Sequence, residues 1–172
     1  SGSEFGTQVS LSGDGKTLAV GAPWQDSDNP TVALNDNTSN LGAVYVYKRS
    51  AADVWSQQSM LKTTATGSFS EFGRSVALSN DGNFLAAGAT GDATPARGVN
   101  GASTVSGGQE KAGGVFVFAA NATGWSQKSY VKASNTYSST QILSSATRPQ
   151  FGSSIALSAD GAALAVGAAG EY

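Results

Sequence analysis

The densest set of oxygen donors in the sequence lies in one stretch, where Asp26, Asp28 and Asp36 stand among Asn29, Asn35 and Asn37. Carboxylate and amide oxygens are what Ca²⁺ takes, roughly six to eight at a time. Asp and Asn also bond their own backbone and so are common turn formers, and the expectation here is turns and no metal. Nucleophilic catalysis needs an activated group, and the 172 residues contain neither Cys nor His. No imidazole base, Cys/His zinc site or disulfide can therefore be built. Glu4, Glu71, Glu110 and Glu171 are scattered, and spacing pairs no two carboxylates. A two-carboxylate hydrolase or lyase would need Glu71, Asp92, Glu110 or Asp26 brought together by the fold. The expectation is that the chain is not an enzyme and takes no cofactor.

Other chemistry-bearing patterns are sparse. Gly107-Gly108 and Gly113-Gly114 lack the Lys-Ser/Thr of a phosphate loop and read as turns. Asn37-Thr38-Ser39 and Asn121-Ala122-Thr123 fit the N-glycosylation acceptor pattern, and the Ser/Thr-rich stretch 134–147 could take O-linked sugars. Ten basic against 12 acidic residues give a net charge of −2, with no nucleic-acid footprint. No apolar run approaches the roughly 20 residues of a membrane helix, so no membrane insertion is expected.

The elements that must position these groups follow from internal repetition. Phe5-Gly6-Thr7-Gln8-Val9-Ser10-Leu11-Ser12-Gly13-Asp14-Gly15 recurs as Phe72-Gly73-Arg74-Ser75-Val76-Ala77-Leu78-Ser79-Asn80-Asp81-Gly82. It recurs again as Phe151-Gly152-Ser153-Ser154-Ile155-Ala156-Leu157-Ser158-Ala159-Asp160-Gly161. Each copy runs on into an apolar stretch ending Gly-Ala. Gly42 to Tyr47 echoes Gly114 to Phe118, and Trp55 to Lys62 echoes Trp125 to Lys132. Each unit thus holds four β-like runs, placed in the second copy at 76–79 (A), 84–89 (B), 115–118 (C) and 125–132 (D). Val44 and Val46 alternate with Tyr45 and Tyr47 at the two-residue period of a strand. Asp-Gly between A and B supplies the positive φ of a tight hairpin. The recurring Phe5, Phe72, Phe151, Trp55 and Trp125 are expected to be blade core.

Four-stranded units at this period predict propeller-type blades. The fold class is all-β with almost no helix: two full antiparallel blades plus a third A–B hairpin. The array spans 1–172, with repeat 1 at 5–62, repeat 2 at 72–132 and a half repeat at 151–168. The Phe-Gly that opens run A and Gly21-Ala22-Pro23 at the end of run B resemble the FG-GAP repeat, the blade unit of integrin α-subunit propellers. The bacterial-style variety is the nearer likeness. The later copies read Gly88-Ala89-Thr90 and Gly167-Ala168-Ala169, without the Pro. The resemblance implies an acidic Ca²⁺ loop between Phe-Gly and Gly-Ala-Pro. Here that loop has shrunk to Ser12-Gly13-Asp14-Gly15 and its copies, and a single carboxylate does not make such a site.

In an up-and-down meander, A–B and C–D turns share one end of each blade, and B–C and D–A connections share the other. The long segments 23–41, 90–113 and 133–150 are all of the second kind, so all are expected at one end. Connections of this length are commonly functional. A chain that begins and ends with A–B cannot close a ring through its own termini. It is then a piece of a longer propeller, an assembly with copies of itself or with other blades, or an open array. The resemblance and the missing catalytic residues point to a non-enzymatic extracellular or cell-surface protein. Its action would be adhesion or surface assembly, with a protein or glycan ligand on the long-loop face. The alternatives are a subunit of an extracellular filament, joined by strand pairing between chains, and a propeller hydrolase or lyase.

Overall fold

A computed structural model of the chain describes residues 2–26, 40–63, 69–101, 111–135 and 149–170. Ten strands and no helix occur among them. β1 (Val9–Leu11), β2 (Thr17–Ala22), β3 (Ala43–Arg49) and β4 (Trp55–Leu61) form one antiparallel sheet in chain order. β5 (Phe72–Leu78), β6 (Phe84–Ala89), β7 (Gly114–Asn121) and β8 (Gly124–Val131) form a second. β9 (Phe151–Leu157) and β10 (Leu164–Ala168) make a two-stranded hairpin. This is the all-β, blade-like arrangement that the repeats predict. Run B coincides with β6. Run A begins earlier than expected, because the strand already starts at Phe72 and a bulge between Phe72 and Ser75 absorbs Gly73.

The A–B hairpins turn as Asp-Gly requires, with φ of 66° at Gly15, 66° at Gly82 and 74° at Gly161. A shared circuit fixes each turn. The Ser12 hydroxyl donates to Asp14 Oδ1 at 2.6 Å and accepts from the Thr17 amide at 2.9 Å. Ser79 with Asp81 and Ser158 with Asp160 repeat both bonds.

The blades stack face to face. The main apolar core lies between the first two sheets: Ala19, Val44, Val46 and Leu61 meet Phe72, Val76, Leu85, Phe116 and Phe118. Phe72 is fully buried there, with its ring edge-on to Phe116 at 5.6 Å between centroids. The start of each A strand docks on the preceding blade through parallel bridges, Gly42 with Phe72 and Gly113 with Phe151. Close approach makes this possible: a Cβ on Gly21 would collide with the Gly73 carbonyl oxygen, and one on Gly88 with that of Gly152.

The expectation that all five recurring aromatics form blade core needs correction. Phe72 is core, and half-buried Trp125 packs against it while donating its indole N–H to Gln58 at 3.3 Å. Phe151 is partly buried. Phe5, however, is 53% exposed and Trp55 40%. The reason is directional. Each repeat turns its Phe and Trp toward the repeat before it, so Phe72 and Trp125 lean on the first blade. Phe5 reproduces the Phe72–Phe116 contact as Phe5–Tyr45, edge-on at 5.2 Å, but its other side is uncovered.

Candidate recognition face at the loop end

Backbone hydrogen bonds sort the connections into two ends, as the meander demands. At one end Arg49 N bonds Lys16 O, Ala120 N bonds Asn83 O, and successive hairpin tips are tied by Asp14 N to Asn80 O and Asn80 N to Ala159 O. These are the short A–B and C–D turns. At the other end Glu71 N bonds Asn40 O, Phe72 N bonds Leu41 O and Gly91 N bonds Ser70 O. The Ser70 hydroxyl also donates to Leu41 O at 2.7 Å. The described ends of the B–C and D–A connections therefore meet at a single end of the stack.

Left-handed backbone concentrates at that end. Glu4, Asn40, Phe69, Glu71, Asn100, Lys111 and Gln150 all have φ between 49° and 68°. Glu4, Glu71 and Gln150 each precede a Phe-Gly, and Asn40 and Lys111 occupy matching positions before Gly42 and Gly113. Their conformation belongs to the repeating knuckle that sets the parallel bridge. Phe69 is different, because a bulky residue at positive φ is unusual. It is 44% exposed, and Lys111 Nζ lies 5.2 Å above its ring. Trp24 at 39% exposed and Val99 at 66% add further apolar surface to the same end. Neither Trp24, Phe69 nor Val99 stood out in the sequence. The signal that could have found them is an aromatic or branched residue inside otherwise polar connecting segments.

Of the carboxylates named from the sequence, Asp26, Glu71 and Asp92 each have their own hydrogen-bond partner. Asp26 Oδ1 accepts the Asn40 amide at 2.9 Å and so pins the end of the first long connection. Glu71 accepts the Thr90 hydroxyl at 2.7 Å. Asp28, Asp36, Asn37, Glu110 and Glu171 lie outside the described residues. Among the described residues, no three acidic side chains gather as a metal site would require. Asn121 is exposed at the opposite, short-turn end, where its Oδ1 accepts from the Thr123 amide and hydroxyl, both at 2.9 Å.

Asp92 stands apart from the other carboxylates. It is almost fully buried beneath the loop end, as is Lys132. Asp92 Oδ1 accepts the Thr94 amide at 2.9 Å and the Thr94 hydroxyl at 2.7 Å. Oδ2 accepts the Tyr130 phenol, and Lys132 Nζ lies 3.7 Å from it. Lys132 Nζ also donates to the Asp92 carbonyl oxygen at 3.2 Å. Burial, then the Asp92 charge, push the Tyr130 phenol far above its ordinary range, so it stays a donor. Burial pulls the Lys132 ammonium down, against the opposing pull of Asp92. Gly114 makes the room, since a Cβ there would press on Asp92 Oδ2 at 2.6 Å and on the Tyr130 ring at 2.9 Å.

Among the described residues no helix is long and apolar enough to cross a membrane. A search of the curated proteins finds no match. Residues 1–47 match the family model described as FG-GAP repeat. That stretch holds β1, β2 and most of β3, and the same strand pattern recurs in the second sheet and, for its first two strands, in the third. Residues 1–47 are thus similar to an FG-GAP repeat, and the described strands form β-propeller-like blades.

Proposed function

We propose that the chain is a non-enzymatic recognition module of an extracellular or cell-surface protein, acting in adhesion through the loop end of its blade stack. The observation that carries this reading is the segregation of connections: the short turns are tied to one another at one end, and the described ends of the long connections meet at the other. Trp24, Phe69 and Val99 add exposed apolar groups there, beside the Lys111 ammonium. Aromatic side chains of this kind dominate binding energy at protein interfaces, and Trp and Tyr faces also stack on ligands. A glycan on Asn121 would project from the short-turn end and leave the loop end clear.

The test is binding of the chain to an immobilised glycan library and to fibrillar matrix proteins. Trp24→Ala and Phe69→Ala are compared with Asp53→Ala, a change in an exposed C–D turn. The expected result is binding that weakens about tenfold or more in each aromatic variant, about 1.4 kcal/mol, and is unchanged in the turn variant. Binding that responds to the turn variant, or no binding to any probe, would remove the reading.

A further inference from the structure

We propose that Asp92 and Lys132 form an intramolecular amide cross-link that joins the second B–C connection to the end of strand β8. The groups around Asp92 are arranged as such a reaction needs. One carboxylate oxygen, Oδ1, already receives two donors from Thr94, which polarise Cγ and steady the charge that builds on Oδ1 during attack. The other, Oδ2, receives the Tyr130 hydroxyl and is the oxygen set up to leave. The Lys132 amine waits 3.7 Å from Oδ2, with its side chain sealed from solvent.

The step balances without any co-reactant. Within the pair, a proton passes from the Lys132 ammonium to Oδ2, giving a neutral amine and a neutral acid. Burial favours that transfer, because it penalises separated charge. Nζ then attacks Cγ, and a bond forms between them. A second amine proton reaches Oδ2, relayed through the Tyr130 hydroxyl, which ends as it began. The Cγ–Oδ2 bond breaks, and Oδ2 leaves as water. Nothing is oxidised or reduced.

The first blade provides an internal contrast. The residue matching Asp92 is Gln25, which bonds the Gly42 amide through its carbonyl oxygen as Asp92 bonds Gly113. Met60 stands opposite Tyr45 where Tyr130 stands opposite Phe116, and Ala43 stands where Gly114 opens the space. Lys62 matches Lys132 and donates to the Gly42 carbonyl at 2.9 Å. The lysine is thus shared by both blades. The first blade also brings a phenol to this place, Tyr45 donating to Gln25 Oε1 at 3.3 Å, but of these two blades the second alone has the carboxylate and the glycine, so the Asp–Lys pair is an addition to the repeat and not part of its framework.

The decisive measurement is the intact mass of the folded, purified chain under denaturing conditions. The expected mass is one water below that of the linear sequence. Tryptic digestion should spare Lys132 and yield a branched peptide containing Asp92. Lys132→Met should restore the linear mass. Asp92→Asn should lose ammonia in place of water, and Tyr130→Phe should slow bond formation. A linear mass in folded wild-type protein overturns the proposal and leaves a buried ion pair. Loss of water mapped to a linear peptide around Asp92, as a cyclic imide, also overturns it.

Discussion

Single side chains decide how each hairpin tip is locked. Asp14, Asp81 and Asp160 are exposed, yet their carboxyls are held below the usual range. The largest cause in each is the serine hydroxyl two residues earlier, followed by a backbone N–H two residues later. A carboxyl depressed in the folded state contributes stability above its unfolded pKa, about 4. That contribution is lost as pH falls through the folded value. Removing the serine should undo the depression. In Ser79→Ala, Asp81 is expected to titrate closer to an ordinary aspartate, measured by carboxyl ¹³C shifts against pH, while Asp14 stays as it was. An unmoved Asp81 midpoint would show that the backbone amide, not the hydroxyl, sets the value. The recurrence of Ser-x-Asp-Gly was plain in the sequence. The circuit was not, because it depends on the turn bringing the hydroxyl, the carboxylate and two amides within one hydrogen bond of each other.

At the scale of strands, the blade interface centres on Phe72 within its apolar cluster and on close backbone contact. Phe72 fills the space between the first two sheets, and removing a buried Phe typically costs ~3–5 kcal/mol. Phe72→Ala is expected to destabilise by that order, whereas Phe5→Ala, at the half-exposed equivalent, should cost much less. Gly88→Ala should also destabilise strongly, since its Cβ would meet the Gly152 carbonyl oxygen and backbone cannot swing aside. Denaturant titration checks all three, and equal losses for Phe5→Ala and Phe72→Ala would contradict the directional packing. Strand identity, order and hairpin turns were legible in the sequence, because the two-residue period and the Asp-Gly positions are local signals. The direction in which each Phe and Trp faces was not legible. It is set by the neighbouring blade, which leaves no mark within the repeat itself. Asp92, Tyr130 and Lys132 were obscured for a related reason: Tyr130 and Lys132 lie 38 and 40 residues from Asp92, and it takes the pairing of β6 with β7 and of β7 with β8 to unite them.

At the scale of the whole stack, each described unit touches mainly its neighbours, and such arrays have stability that varies along their length. The second blade is covered on both faces. Leu85, Ala86, Ala87 and Phe116 are buried to 2% exposure or less. The end of its β8 is also paired on the outer edge, because Val99 bridges Val131, and Asn100 N and Lys132 N bond across to Tyr130 O and Gly98 O. The β9–β10 hairpin differs in each respect. It rests on the second blade through Gly152 and the Ser75 hydroxyl, 2.7 Å from the Gly152 carbonyl, while Ser154, Ala156 and Ala165 face outward. The matching Ser75, Ala77 and Ala86 are buried. Opening the hairpin thus exposes little apolar surface beyond what is already wet, so its local opening free energy should be the smaller. Amide hydrogen exchange is expected to be slowest in β6 and β7 and at least about tenfold faster in β10, a difference of about 1.4 kcal/mol or more. Phe72→Ala should speed exchange in β6 and β7 and leave the ranking intact. Equal protection in all three strands would mean that the stack opens only as one cooperative unit, and the graded account would fail.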